Sequence, residues 1–285
     1  MGAMTMTFFG VRGSYPVPDR RMSRFGGNSA SVLVETSDAH IILDAGTGII
    51  RAGKYLQHRF NRGLASRKIH IFLSHLHIDH IMGLPFFSPM FDPASHILIY
   101  CPKYETIDFR QAVQALFLPP YSPITLEGIK AKVDFFTLED PEKDRVGITD
   151  DAAVDFIRHS LHPLLGVAIY RVSHQKKKIV YATDVESPNG FDPGIVRFIH
   201  GADVLIHDSQ YQDSDYFRPA HSRKGFGHST VSRAVQNARQ CGVGKLFLFH
   251  FDPDYTDATV ERMLAQARME FKNTYLAREL KRIKI

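Results

Sequence analysis

Cysteine is scarce in this sequence. The chain of 285 residues has two, Cys101 and Cys241, and neither lies in a CxxC motif or beside a histidine cluster. Two scattered thiols in so long a chain exclude a disulfide-stapled scaffold and fit a reducing compartment. No run of eighteen apolar residues occurs, so no membrane-spanning helix is expected. The opening Met1-Gly2-Ala3-Met4-Thr5-Met6 lacks the basic region and long apolar stretch of a signal peptide, and the expected location is cytoplasmic. Internal repeats, low-complexity tracts and linkers are absent. Excess charge is small as well: a formal +5 and a pI near 9.1 are compatible with an anionic substrate but ordinary among soluble proteins.

What is present is apolar mass in short pieces. With 44% hydrophobic residues and no shift in composition, the expectation is one domain over 1–285. Strands are predicted at 31–35, 41–43, 69–73, 97–100, 131–136, 154–157, 167–172, 179–181, 204–206 and 246–249. Several are rich in Val, Ile, Phe and Tyr and are closed by polar, Gly or Pro signals. Helices are predicted at 49–59, 108–118, 229–240 and 259–271; the third has Ser229 or Thr230 as cap and Gly242 as stop. Grouped strands with helices between the groups argue for an α/β sandwich. The stretch 119–128, with Pro119, Pro120, Pro123 and Gly128, reads as a loop.

One pattern organises the polar residues. "IILD" ends in Asp44, "IFLSH" in His75, "IVYATD" in Asp184, "VLIHD" in Asp208 and "LFLFH" in His250; His162 closes "VDFIRHSLH". Sites in open α/β architectures form at the carboxyl ends of strands, so six such endings suggest one rim of ligand-type side chains. Singly, an Asp after a strand starts a turn, and a lone His is an ordinary core or surface residue. His40, His58, His70, His96, His174, His200 and His221 are read that way, and His159 competes with His162. The stretch "SHLHIDH" is different. His75 and His77 stand two apart, so an extended chain points both to one side, and a turn can return Asp79 and His80 toward a neighbouring point. Imidazole and carboxylate donors without thiolate suit Zn, Mn or Fe.

The hexapeptide "HLHIDH" resembles the HxHxDH signature of the metallo-β-lactamase superfamily, and further matches follow in order: "LDAGTG", His162, "YATD" and "FH". "FFGVRGSYPVP", "FGGNSASVLVE", "ADVLIHDSQY" and "GFGHSTVSRAV" resemble its ribonuclease Z and cyclic-phosphate phosphodiesterase branch. Two departures from ribonuclease Z are Asp208 in place of Glu and the lack of a Gly/Pro-rich tRNA-gripping insertion. The resemblance implies an αββα sandwich of two mixed sheets flanked by helices. It implies two divalent metal ions, Zn or Mn or Fe. His75, His77 and His162 hold one, Asp79, His80 and His250 hold the other, and Asp184 bridges. Asp44 then orients a ligand histidine. The implied reaction is hydrolysis of a phosphodiester by hydroxide generated at the metals, with His228, Asp208 and Asp79 as the catalytic group. His228 has a second reading as a helix-capping residue.

The implied substrate is a cyclic nucleotide, a cyclic sugar phosphate or a short nucleic acid, and the implied assembly is a homodimer. Arg12, Asn28 and Ser29 sit in glycine-bearing loops, where reaching the substrate and a plain turn role are both open. So are capping, core and dimer roles for Tyr104, Phe109, Phe117 and Tyr121 in 103–128. Hydrolysis of a lactone, thioester or β-lactam is the alternative on the same fold. A non-catalytic or redox member is disfavoured because no flavin domain is visible in this sequence.

Overall fold

A computed structural model describes residues 4–141, 144–163 and 166–285. Six strands open the chain: β1 (Thr5–Gly10), β2 (Ser31–Glu35), β3 (His40–Leu43), β4 (Lys68–Phe72), β5 (His96–Pro102) and β6 (Lys132–Leu138). Seven more build a second sheet: β7 (Val146–Gly147), β8 (Ala152–His159), β9 (Val167–His174), β10 (Lys177–Ala182), β11 (Val204–Asp208), β12 (Lys245–Phe249) and β13 (Thr274–Leu276). The last strand, β14 (Arg282–Lys284), returns to the edge of the first sheet. The helices are α1 (Gly48–Asn61), α2 (Ile78–Ile81), α3 (Phe109–Ala115), α4 (Pro193–Ile199), α5 (Asp213–Tyr216), α6 (Val231–Gln240) and α7 (Asp257–Glu270).

Both sheets are mixed, as expected. The first runs β14-β1-β2-β3-β4-β5-β6 and is parallel from β3 to β6; the second runs β13-β12-β11-β10-β9-β8-β7 and is parallel from β13 to β10. Alternation along the strands divides the apolar side chains between layers. Phe8, Val32, Leu43 and Phe72 of the first sheet share a core with Val172, Val180 and Phe249 of the second. Leu33, Ile42, Ile71 and Ile99 face outward onto Ile49, Ala52, Leu56 and Phe60 of α1. α6 and α7 cover the second sheet through Val231, Val235, Val260 and Met263. The result is the αββα sandwich. No described helix is long and apolar enough to cross a membrane.

The predicted strands and helices all occur, with small shifts at their ends. β1, β7, β13, β14, α2, α4 and α5 were not predicted. α6 begins after Thr230, whose Oγ1 accepts from the backbone N–H of Arg233, so Thr230 is its cap. Within 103–128, Phe109 and Phe117 are buried in the outer core, while Tyr121 is 84% exposed.

A candidate metal centre at the strand ends

β3, β10 and β12 each end in a residue with left-handed backbone: Asp44 at φ +60°, Asp184 at φ +54° and His250 at φ +63°. Such a backbone is costly for a residue with a Cβ and persists where the surroundings fix it. Here it turns three polar side chains over the rim between the sheets. β4 delivers Ser74 and His75 to the same rim, and the single turn of α2 folds Asp79 and His80 back toward them.

The inward nitrogens follow from the outward ones. The Nδ1–H of His80 donates to Asp44 Oδ2 at 2.7 Å, that of His162 to the Gly227 carbonyl at 3.1 Å, and that of His250 to Gln210 Oε1 at 2.9 Å. Ser74 Oγ donates to Asp44 Oδ2 at 2.8 Å and accepts from His75 Nδ1 at 3.0 Å. All four rings therefore turn Nε2 inward. His75 Nε2 is buried and has no hydrogen-bond partner. His162 Nε2 lies 3.0 Å from His77 Nδ1, and His80 Nε2 lies 3.2 Å from His250 Nε2. Such pairs of ring nitrogens suit lone pairs converging on a cation.

The donors form overlapping groups, of which two share no residue, and Asp184 also gathers with His75 and His80 and with Asp208, His228 and His250. Ligand atoms of His75, His77 and His162 lie within 4.8 Å of one another, and so do those of Asp79, His80 and His250. Asp184 faces both groups. Its Oδ2 is 3.2 Å from His80 Nε2 and 3.3 Å from His250 Nε2; its Oδ1 is 3.8 Å from His75 Nε2 and 3.9 Å from His162 Nε2. His159 is excluded from the cluster: its Nε2 donates to the Glu186 carbonyl at 2.8 Å.

Burial holds His75 well below the usual imidazole range, lowers His77 and pushes His162 down to about 4, so their lone pairs are free to bind. For His80 burial acts the same way, but Asp184, Asp79 and Asp44 outweigh it and hold the ring well above its usual range. Desolvation raises Asp79 and Asp184, yet the surrounding histidines outweigh it and keep both well below the ordinary carboxylate range. The rings of His75, His77 and His162 offer lone pairs, while the carboxylates around His80 hold a proton on it where a divalent cation would answer the same negative charge.

His228 stands beside this cluster, with Nδ1 donating to Asp208 Oδ2 at 2.8 Å. Asp208 Oδ1 accepts from the backbone N–H groups of Gln210 and Ser229 at 3.0 and 3.1 Å, which fixes the carboxylate. Burial would lower the His228 ring, but Asp208, its hydrogen bond, Asp184 and Asp79 raise it to about 9. The contact with Asp208 thus favours the protonated ring and leaves Nε2 free of that carboxylate.

A family model for the beta-lactamase superfamily domain matches residues 39–251, from the start of β3 to just past His250. The chain belongs to this superfamily. Ribonuclease Z of Porphyromonas gingivalis strain ATCC 33277 is 26% identical over 304 residues, covering 89% of this chain and 92% of the relative. Two solved structures share the fold. A diphosphatase from the PhnP family superposes with TM-score 0.69 at 18% identity, covering 99% of this chain and 98% of that one. The short form of human tRNase Z superposes with TM-score 0.64 at 20% identity, covering 98% of both chains.

For Arg12, Asn28 and Ser29, where substrate contact and a turn role were both open, the contacts in the structure are with the chain itself. Arg12 is fully buried; Nε donates to the Gly26 carbonyl at 2.9 Å and Nη1 to those of Asp252 and Tyr255 at 3.2 and 2.7 Å. It ties loops together under the site. Asn28 gives its backbone N–H and its Nδ2 to Glu279 at 2.7 and 2.9 Å. Ser29 is buried and exchanges hydrogen bonds with Thr47. The sequence reading also missed site residues. Ser14 donates its backbone N–H to Asp79 Oδ2 at 2.8 Å, and Tyr181 its hydroxyl to Asp44 Oδ2 at 2.8 Å. Gln210 anchors His250. Glu186 accepts from the N–H of Gly225 and Gly227 at 2.7 and 2.8 Å and from Tyr216 Oη at 2.5 Å, holding the loop that presents His228.

Proposed function

We propose that this chain is a metal-dependent phosphodiesterase acting on a phosphodiester bond of a nucleic acid or nucleotide. The observation that carries the reading is the position of the His228–Asp208 pair, hydrogen-bonded at 2.8 Å, against the cluster of ligand-type donors. His75, His77 and His162 would hold one divalent ion, Asp79, His80 and His250 a second, and Asp184 would bridge them; the two-sided contacts of Asp184 support this division. Zn, Mn or Fe suits such a set. Bound there, the ions would supply Lewis-acid polarisation of phosphoryl oxygens and a water whose pKa falls toward about 7.

The chain's own residues do the rest. Asp208 fixes His228 as the Nδ1–H tautomer and stabilises its positive charge, so Nε2–H can give a proton to the departing alkoxide. Asp79, held in place by Ser14, keeps negative charge beside His80 and His250. Asp44 sets the ring of His80. The ribonuclease Z relative and the PhnP-family diphosphatase, both named for cleavage at phosphorus, favour a phosphate ester over the alternative lactone, thioester or β-lactam.

The reading includes a cytoplasmic protein acting as one domain over 1–285, which its two buried free cysteines support. It also includes a homodimer, supported by the exposed apolar groove lined by Ile78, Phe86 and Tyr121; a monomer by light scattering would remove that part. The decisive assay loads the protein with Mn or Zn. It is then offered bis-p-nitrophenyl phosphate, cyclic mono- and dinucleotides, a short oligonucleotide, a lactone and a β-lactam. Phosphodiester turnover that His228→Ala abolishes is expected. Turnover of the carboxylic substrates alone overturns the reaction.

A further inference from the structure

Two cavities meet at His228. One, of about 400 Å³, is lined by Ser14, Gln210, Tyr211 and Arg223. It rests on the metal cluster, because Ser14 bonds Asp79 and Gln210 bonds His250. The other, of about 300 Å³, includes Phe217, Lys224, His228 and Arg233 in its walls. None of its lining residues except His228 is among the residues assigned above to the metals or the catalytic pair.

This second cavity combines an exposed aromatic ring with positive charge. Phe217 is 53% exposed, and Lys224 Nζ lies over one face of its ring, 4.9 Å from the centroid. Neither Lys224 nor Arg233 forms an ion pair among the described residues, and Arg233 Nη1 meets only the neutral side chain of Gln236. The acidic group among the lining residues, Asp213, is fixed by the neutral hydroxyls of Thr230 at 2.7 Å and Ser232 at 2.6 Å, and its single charge stands against the two of Lys224 and Arg233. An aromatic platform beside cations is the combination that holds single-stranded nucleic acid, the ring stacking a base and the cations meeting a phosphate.

We propose that this cavity is a nucleotide subsite on the leaving-group side of the reaction, with a base stacked on Phe217 and its phosphate held by Lys224 and Arg233. The inference rests on the reading of His228 as the acid that protonates the leaving oxygen. An acid must stand beside that oxygen, and His228 also lines this second cavity, so the group attached to the oxygen is within reach of it. The substrate is then a strand with a further phosphate beyond the scissile one, and a cyclic mononucleotide leaves the subsite empty.

The test is calorimetric binding to the metal-free chain, independent of turnover, with adenosine 5′-monophosphate, adenosine and inorganic phosphate as probes. The wild type is expected to bind the monophosphate roughly tenfold or more tightly than either fragment. Phe217→Ala should weaken it by a similar factor, and the double variant Lys224→Met with Arg233→Met should bring it to the affinity of adenosine; circular dichroism checks that each is folded. A monophosphate bound no tighter than phosphate, or bound equally by either folded variant, overturns the proposal. A chain that cleaved only lactones yet showed this pattern would lose the reaction and keep the subsite. A proven phosphodiesterase without the pattern would lose the subsite alone.

Discussion

Asp208 Oδ2 accepts a hydrogen bond from His228 Nδ1 at 2.8 Å while its other oxygen is held by two backbone N–H groups. The carboxylate cannot turn away, so its charge acts fully on the ring, and the ring titrates near 9 instead of near 6.5. Asp208→Asn removes the charge and keeps the shape. The His228 midpoint, followed by NMR in the metal-free protein, should fall by more than one unit toward the ordinary value, and kcat on a phosphodiester should fall by about 10² or more. The sign for stability follows from linkage. A proton bound more tightly in the folded state stabilises fully below pH 6.5, and the contribution is lost as pH rises through 9. Urea unfolding of the metal-free wild type should therefore lose stability over that interval relative to Asp208→Asn; parallel curves would contradict the pairing.

Asp44 takes four donors: the Ser74 backbone N–H at 2.6 Å, Ser74 Oγ at 2.8 Å, His80 Nδ1 at 2.7 Å and Tyr181 Oη at 2.8 Å. Removing the acceptor frees the His80 ring and, through Ser74, the His75 ring. Asp44→Ala should lower zinc affinity about 10- to 100-fold, measured by competition with a chelator. Asp44→Gly removes the same acceptor but suits φ +60°, so it should unfold at higher denaturant than Asp44→Ala by about 1 kcal/mol. Unchanged zinc affinity in both variants would remove Asp44 from the site.

Much of this centre was legible because "HLHIDH" places four ligand-type residues on one strand end and one helical turn, where local geometry alone brings them together. Asp184, Asp208 and His250 were legible because each follows an apolar run on a parallel strand, and parallel strands end on the same side. Gln210, Ser14 and Glu186 were not legible. Each acts through a contact between segments distant in sequence, such as Ser14 with Asp79, and none has a side chain that announces such a role. The role of Arg12 was left open for a related reason: only the packing of Gly26, Asp252 and Tyr255 around it shows that Nε and Nη1 face backbone carbonyls. β14 was missed because Arg-Ile-Lys carries one apolar residue; it is an edge strand whose partner, β1, lies at the other end of the chain.

Two histidines outside the centre add to the acid sensitivity of the fold. Burial pushes His70 down to about 4, where it stacks beside Tyr100, with Nδ1 3.2 Å from its hydroxyl. Burial likewise pushes His207 down to about 4, between Asn237 Nδ2 and the Asp208 carbonyl. Both are neutral in the native state and take up protons more readily when unfolded. Their contribution is present above pH 6.5 and is lost as pH falls through 4. His70→Phe keeps an apolar ring and removes one such group. Its stability should fall less steeply than the wild type's between pH 6.5 and 4 in urea titrations, and an equal slope would show that His70 is not a source of the acid sensitivity.

Glu186 holds the His228 loop by both carboxylate oxygens, Oε1 on the Gly225 N–H and Oε2 on the Gly227 N–H. The same loop offers the Gly227 carbonyl to His162 Nδ1. One side chain, two residues beyond Asp184, thus sets the place of the proposed acid and of one proposed ligand. Glu186→Ala frees both amides and leaves the buried Tyr216 hydroxyl without its acceptor. Hydrogen exchange at Gly225 and Gly227 should quicken about tenfold or more, and kcat should drop by a similar factor. Glu186→Gln keeps one acceptor oxygen and should fall between the wild type and Glu186→Ala in both measurements. If exchange quickens while kcat stays at the wild-type value, the loop is free to move without carrying His228 out of position, and the positioning role assigned to Glu186 fails.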